Sequence, residues 1–327
     1  MKKIFCLLVV FLLVVGCSSK NESGILKELT KKIEKAETYD LVGKLEMINN
    51  ENSYLYDVSV SYEAKDNFKV SLNNQTNNHT QLILKNEDGV YVLTPSLNKS
   101  FKFQSEWPYN NSQSYILQVL LDDIKNDDDR VFEEVENGYI FTTKVNYSNN
   151  PTLKKQKIYL DGDINFSKVE VFDENDNVKI TMTFDSIDYD KDFEDDYFTL
   201  DYNVKESNLT DVSSKIDEII YPMYLPVNTT LTSQDKVSKS DGERVILTFS
   251  GDKPFTFVQE TINRTEELTT VLSYGEPTLI GDVIASLSDN SISWISNGVE
   301  YYIVSEVLNE EELVEIASSI SSIPVMK

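Results

Sequence analysis

Cysteine and histidine are almost absent. The 327 residues hold two cysteines, Cys6 and Cys17, and one histidine, His79. Both cysteines fall within the first seventeen residues, so the body of the protein has no disulfide, no thiol nucleophile and no cysteine-based metal site. Its stability must come from an apolar core. Cations are also in short supply: 30 basic residues face 55 acidic ones, for a net charge of −25. That balance argues against a nucleic-acid partner and against a surface held to anionic lipid by charge. No GxSxG, HExxH or glycine-rich phosphate loop is present. His79 sits in "NNQTNNHTQ", a polar turn with no serine or aspartate spacing that suggests a triad. Paired acids do occur, at Asp122/Asp123, Asp127–Asp129, Asp161/Asp163 and between Asp192 and Asp196, and two carboxylates can serve a hydrolase. Each pair flanks a turn or a helix end, where aspartate is common for backbone reasons. "DENDN" (173–177) begins like a calcium loop, but Val178 stands where the glycine belongs and Phe184 where the terminal glutamate belongs. These absences predict a protein that is not an enzyme and carries no cofactor and no metal.

The N-terminus is different in kind. Lys2 and Lys3 precede an apolar run from Ile4 to Val15, closed by Gly16 and Cys17. A basic start, a short apolar stretch and a small residue before the cut describe a secretory signal. The run is too short to span a bilayer, which takes about 20 residues. Val14-Val15-Gly16-Cys17 resembles the bacterial lipobox. That resemblance implies a signal peptide over 1–16, diacylation of Cys17 (a palmitate-type anchor) and a polar tether over 17–24. Two acyl chains hold a protein on a membrane stably, at about 0.8 kcal/mol per buried CH2.

Beyond the tether, Ile25, Leu26, Leu29, Ile33 and Ala36 recur at helical spacing. The period then switches to two. Strands are expected at 41–48, 54–63, 68–72, 80–85, 89–94 and 99–104, separated by "NNEN", "KDN", "NNQTNN" and "NEDG" turns. A helix is expected over 112–125, followed by strands at 130–136, 138–147, 153–161, 165–173 and 177–189. About eleven strands in hairpin order predict an antiparallel sheet long enough to curl into an incomplete barrel, with the two helices as a lid on its concave face. Residues 203–214 read as a linker. A second unit, 215–327, is expected to be a small α+β domain. It opens with a partly helical segment stopped by Pro222 and Pro226, continues with strands at 243–251, 254–262 and three more within 275–307, and ends with a helix over 310–320.

"KVEVFDENDNVKITMTFDSIDYDKDFEDDYFTL" (168–200) and "VYVLTPSLNKSFKF" (90–103) resemble the closing strands and the middle hairpin of the LolA-like lipoprotein-sorting family. The resemblance covers about residues 25–202 and contains no catalytic motif. "DNSISWISNGVEYYIVSEVLNEEELVEIASSI" (289–320) resembles the end of a domain of unknown function, DUF4367, found in Firmicute envelope and sporulation proteins. Together they resemble the sporulation-associated lipoproteins of those organisms, whose cells have no outer membrane. The resemblance therefore implies an anchored protein on the outer face of a Gram-positive cytoplasmic membrane, with a groove for an apolar ligand such as a lipid or acyl chain. The alternative it implies is a non-enzymatic scaffold for a protein partner in envelope, sporulation or germination processes. Candidate groove residues are Tyr54, Tyr56, Val58, Val60, Phe101, Phe103, Tyr139 and Phe141. Plain core packing is the competing reading of these side chains, and the register decides which alternate set faces inward. Trp294, Tyr301 and Tyr302 are candidates for an exposed protein contact, or equally for the core of the second unit.

Substituting Cys17→Ser should move the protein from the membrane fraction to the medium, or leave an unprocessed precursor. Fractionation with palmitate labelling reads this directly. A variant that remained both processed and membrane-bound would exclude the anchor.

Overall fold

The structure is a computed structural model. It describes residues 21–321 apart from 50–51, 65, 77–78, 95–97, 148–149, 206–215, 217, 240–241, 263–268, 282 and 297. Cys17, the signal segment, residues 17–20 of the tether and most of the 203–214 linker lie outside the described residues. In chain order the first half forms α1 (Glu22–Lys35), β1 (Thr38–Asn49), β2 (Asn52–Glu63), β3 (Asn67–Asn74), β4 (Thr80–Asn86), β5 (Gly89–Thr94), β6 (Lys99–Phe103), α2 (Leu117–Asn126), β7 (Val131–Val135), β8 (Gly138–Lys144), β9 (Leu153–Asp161), β10 (Phe166–Asp173), β11 (Val178–Asp188) and α3 (Leu200–Lys205). The second half forms β12 (Thr229–Lys239), β13 (Gly242–Gly251), β14 (Phe255–Thr261), β15 (Thr269–Ser273), β16 (Glu276–Ile280), β17 (Val283–Ser288), β18 (Ser291–Ser296), β19 (Val299–Val304) and α4 (Glu310–Ser321). Among the described residues no helix is long and apolar enough to cross a membrane.

One sheet has twelve strands in the order β15-β6-β5-β4-β3-β2-β1-β11-β10-β9-β8-β7. The pairing of β1 with β11 places the first strand in the middle and leaves β7 and β15 as unjoined ends. The sheet therefore curls without closing, as an incomplete barrel in a mixed α+β fold. Its concave side is set by alternation. Tyr39, Leu41 and Leu45 of β1, Tyr56, Val58 and Val60 of β2, and Phe68, Val70 and Leu72 of β3 point into one core, which takes in Ile25, Leu29 and Ile33 of α1 and Leu117, Leu120 and Ile124 of α2. Burying each such side chain contributes about 1.5–3 kcal/mol. The Asn21 side chain caps α1 by accepting the Gly24 N–H at 2.9 Å. Lys32 fixes the helix over the barrel wall, donating to the Asp163 carbonyl at 2.9 Å and to Asn165 Oδ1 at 2.7 Å.

Strands β4 and β5 read as unbroken apolar runs because both their faces are covered. Ile83, Val90 and Val92 face the helices, while Leu82, Leu84, Tyr91 and Leu93 pack on the convex side against Phe198, with Phe193, Tyr197 and Leu200 around it. The "FEDDYFTL" segment is thus a strap across the outside of the sheet. It is tied down by Asn86 Nδ2 on the Phe198 carbonyl at 2.9 Å and by Lys69 Nζ over the Tyr197 ring at 4.2 Å.

Four expectations need correction. The helix expected over 112–125 begins at Leu117, because Ser112 is bonded across to Asn146, N to O at 2.8 Å and Oγ to N at 2.9 Å, which holds the preceding turn out of helix. The segment 215–226 is not helical among the described residues. The buried Gln259 side chain takes both backbone groups of Ile220, at 3.0 and 2.8 Å, and keeps it extended against β14. The region 275–307 holds four strands, not three. Two strands, β12 and β15, carried no recognisable pattern, because their side chains are almost all exposed. The second sheet has the order β12-β13-β14-β19-β18-β17-β16, and α4 covers one face through Leu313, Ile316, Ala317 and Ile320.

Gly43 sits where β1 and β11 slip register, and an added Cβ would lie 2.2 Å from the Thr183 carbonyl oxygen. Gly43→Ala should therefore destabilise the fold by about 1–3 kcal/mol, read as a lowered urea midpoint. An unchanged midpoint would show that the bulge absorbs a methyl group freely.

Candidate functional site: a cavity at the seam of the two halves

The open mouth of the barrel is met by the second half. The hairpin of β16 and β17 enters it. The Tyr56 hydroxyl donates to the Gly281 carbonyl, and the Ile284 N–H donates to Oε1 of the buried Gln81 at 2.5 Å. Ile284 belongs to the barrel's own core and Leu279 packs against it. Alongside, β15 pairs in parallel with β6, the Ser100 and Thr270 hydroxyls lie 2.8 Å apart, and Lys99 meets Glu300 at 3.1 Å. Ser105 donates to the Glu276 carboxylate at the same seam.

The hairpin does not fill the mouth. A cavity of about 350 Å³ remains between barrel, hairpin and α4. Leu45, Met47, Tyr54, Leu72, Ile83 and Ile180 form its sheet-side wall, and Leu279, Ile280, Ile284 and Val314 close it from the second half. Polar groups share the lining: Asn111, Gln113 and Ser114 from the loop before α2, Lys179 from β11, and Glu311 and Glu315 from α4. The result is a site of mixed lining, with aliphatic and charged side chains side by side.

Next to the 111–115 loop lies a partly buried polar cluster between α2 and the sheet. Gln156 Nε2 donates to Asp123 Oδ2 at 2.7 Å, and Thr143 is the cross-strand neighbour of Gln156. Burial raises the Asp123 carboxyl to about 6, against hydrogen bonds from Ser112 and Gln156 that favour its charged form. Burial likewise holds the phenols of Tyr115 and Tyr147 above their ordinary range, so both are neutral donors at the cavity wall.

Of the eight candidate groove residues, Tyr56, Val58, Val60, Phe103 and Phe141 are buried in the barrel core, and Tyr54, Phe101 and Tyr139 are partly buried against it. Tyr54 alone of them lines the cavity. Tyr139 and Phe141 lie at the other end of the sheet, around Phe132. The rest of the wall comes from aliphatic side chains on neighbouring strands and from the second half. The apolar hairpin "PTLIGDVI" was the available signal, since a turn flanked by exposed Leu and Ile would need a cover. Trp294 and Tyr301 are core, stacked 5.2 Å apart, whereas Tyr302 is 39% exposed. The paired acids at 161/163 and the "DENDN" loop are turn builders. Asp161 and Asp173 each accept backbone N–H groups from two and four residues on, at 2.8–2.9 Å. Among the described residues no group of three or more His, Cys, Asp or Glu is placed to hold a metal.

The first sheet is open and curled, antiparallel except where β15 joins β6, with helices in its concavity. Sporulation protein YdcC of Bacillus subtilis is 35% identical to this chain over 327 residues, covering 97% of each protein. The chain belongs to the family of that sporulation protein. No protein-family model matches the chain, so the DUF4367 resemblance of the second half has no such support. Solved structures of similar fold include the MucA/MucB complex of Pseudomonas aeruginosa (12% identity, 88% of this chain and 96% of that one, TM-score 0.33). The complex of the CwlD amidase with the GerS lipoprotein of Clostridioides difficile is another (16%, 53% and 96%, TM-score 0.31). A third is a LolA superfamily protein of Nitrosomonas europaea (12%, 55% and 98%, TM-score 0.32). These are distant likenesses of fold.

The raised Asp123 carboxyl fixes the sign of a pH effect. Between about pH 4 and 6 the folded chain holds this proton more tightly than the unfolded chain. Stability therefore falls as pH rises through that window, by on the order of 3 kcal/mol, and stays lower above it. Asp123→Asn should be more stable than the parent at pH 7, with the advantage fading toward pH 4. Urea unfolding of both proteins across this range tests it, and a difference that does not change with pH would refute the assignment.

Proposed function

We propose that this chain is a non-enzymatic lipoprotein of the sporulating-cell envelope. It is anchored through Cys17 on the outer face of the cytoplasmic membrane and takes an apolar ligand, a lipid or acyl chain, into the seam cavity. The observation that supports the reading is the cavity itself, lined by aliphatic side chains together with polar and charged ones, at the mouth of a half-closed sheet. Ligand sites run from about 300 to 1,000 Å³. At about 350 Å³ this one suits a single acyl chain and not a whole diacyl lipid. Lys179 and the Asn111/Gln113 amides could meet an anionic or polar head while the tail lies on Leu45, Leu72 and Ile83. Membership in the sporulation-protein family supports the cellular setting. The lipobox-like Val14-Val15-Gly16-Cys17 supports the anchor, and the shortage of basic residues argues against attachment by charge.

Native mass spectrometry with lipid extraction, on residues 21–327 purified without detergent, should find a fatty acid or other single-chain lipid at near one per chain. Val314→Trp, which places an indole in the cavity from α4, should empty it while leaving the melting transition in place. Parent protein that is consistently empty would mean that the chamber has no cargo.

A further inference from the structure

Gln156 on β9 is fully buried, and Thr143, its cross-strand neighbour on β8, is 2% exposed. Directly opposed side chains stand on one face of a sheet with their Cβ atoms about 5 Å apart. Here that face meets α2, which brings in Asp123 to accept the Gln156 Nε2–H at 2.7 Å. An ionised carboxylate only accepts, so the amide must turn Nε2 toward Asp123 and Oε1 elsewhere. Oε1 has no hydrogen-bond partner among the described residues, and neither has Thr143 Oγ1. The neighbour of Gln156 on its other side is Val171, whose side chain has no polar atom. Buried oxygens are normally satisfied, and two orphans on paired positions call for a positive group between them.

The local charge asks for the same thing. The charged groups that act on Asp123 are Asp122 and Asp127, both of its own sign. Ser112 gives it a hydrogen bond but no charge, and the same hydroxyl oxygen accepts the Asn146 N–H at 2.9 Å. A partly buried carboxylate with acidic neighbours and two idle oxygens beside it lacks a cation.

We propose that a monovalent cation, sodium or potassium, is bound here by the Asp123 carboxylate, Gln156 Oε1 and Thr143 Oγ1. A carboxylate, an amide oxygen and a hydroxyl are hard donors of the kind that such ions take. One carboxylate balances one positive charge. A calcium site collects several, and no group of three or more acids is placed to hold a metal among the described residues. Two of the three ligands are neutral, so a search for clustered acids, histidines and cysteines passes over them. The ion joins α2 to β8 and β9. None of its three ligands lines the seam cavity, so the site does not depend on a ligand there.

The test follows melting of the full chain in nonionic detergent, near neutral pH. Sodium or potassium chloride replaces choline chloride at a constant ionic strength of about 0.2 M. The midpoint should rise saturably by about 2–5 °C with at least one of the two ions. Asp123→Asn and Thr143→Val each remove one ligand with little change of shape. Both should lose most of that rise, whatever their midpoint in choline. Magnetic resonance of the stabilising ion, with thallium(I) in place of potassium, reads binding directly. The parent should broaden the line, and an excess of unlabelled competitor ion should sharpen it again. This second readout needs no variant, so it decides even if both substitutions prevent folding. A rise that is equal in parent and variants, no rise beyond that in choline, or a line that the parent leaves unbroadened overturns the proposal and assigns the two oxygens to water.

Discussion

A curled sheet that does not close must still bury its concave face, and everything else in this protein follows from that requirement. Two amphipathic helices cover most of it, with Ile25, Leu29 and Ile33 from one and Leu117, Leu120 and Ile124 from the other. They leave the mouth uncovered. The second half supplies the missing cover by sending in a hairpin whose Ile284 becomes part of the barrel core and whose backbone is held by Tyr56 and Gln81. The same half donates β15 to the sheet edge. The two halves share a core residue, a sheet and a cavity, so the shape of the cavity depends on how the second half is seated.

Much of this was legible from residue order. The twelve-residue strands β1 and β2, the helix stripe at Ile25–Ile33 and the eleven hairpin-ordered strands follow from a period of two or of 3.6 and from Asn/Asp turns. Which alternate set on β2 faces inward needed the register, which puts Tyr56, Val58 and Val60 in the core. What stayed hidden depends on neighbours distant in sequence. The exposed β15 has no alternation to betray it, because its partner β6 lies far back in the chain. The stretch 215–226 reads as partly helical, yet no helix forms among its described residues, and Ile220 is instead bonded to the Gln259 side chain. The cavity was misplaced for a related reason. Aromatic residues such as Phe141 and Tyr139 attract attention in a sequence, yet they fill the tight end of the barrel, while aliphatic Leu45, Leu72 and Ile83 line the space that remains.

The polar groups are divided as cleanly as the apolar ones. Asp161 and Asp173 build turns, gathering two backbone N–H groups each. Asp123 differs: it lies on α2, partly buried against Gln156, with burial acting against its charge. A carboxyl in that position weakens the native state at neutral pH, and the loop it supports forms one side of the cavity. Local stability there is therefore tied to the protonation of a single group.

The seam also governs the order in which the molecule can be made. Ser100 meets Thr270 across 170 residues of chain, and Tyr56 meets Gly281 across 225. Contacts so distant in sequence form late, because the loop must close before they contribute anything. A chain that emerges N-terminus first presents an eleven-stranded sheet with an open edge at β6 and an apolar mouth, and it keeps both exposed until the last third has been delivered. Uncovered edges and apolar surfaces of this kind favour association with other chains. Maturation of this protein is thus a race between intramolecular closure and aggregation, and the segment that decides it is a short hairpin near the end.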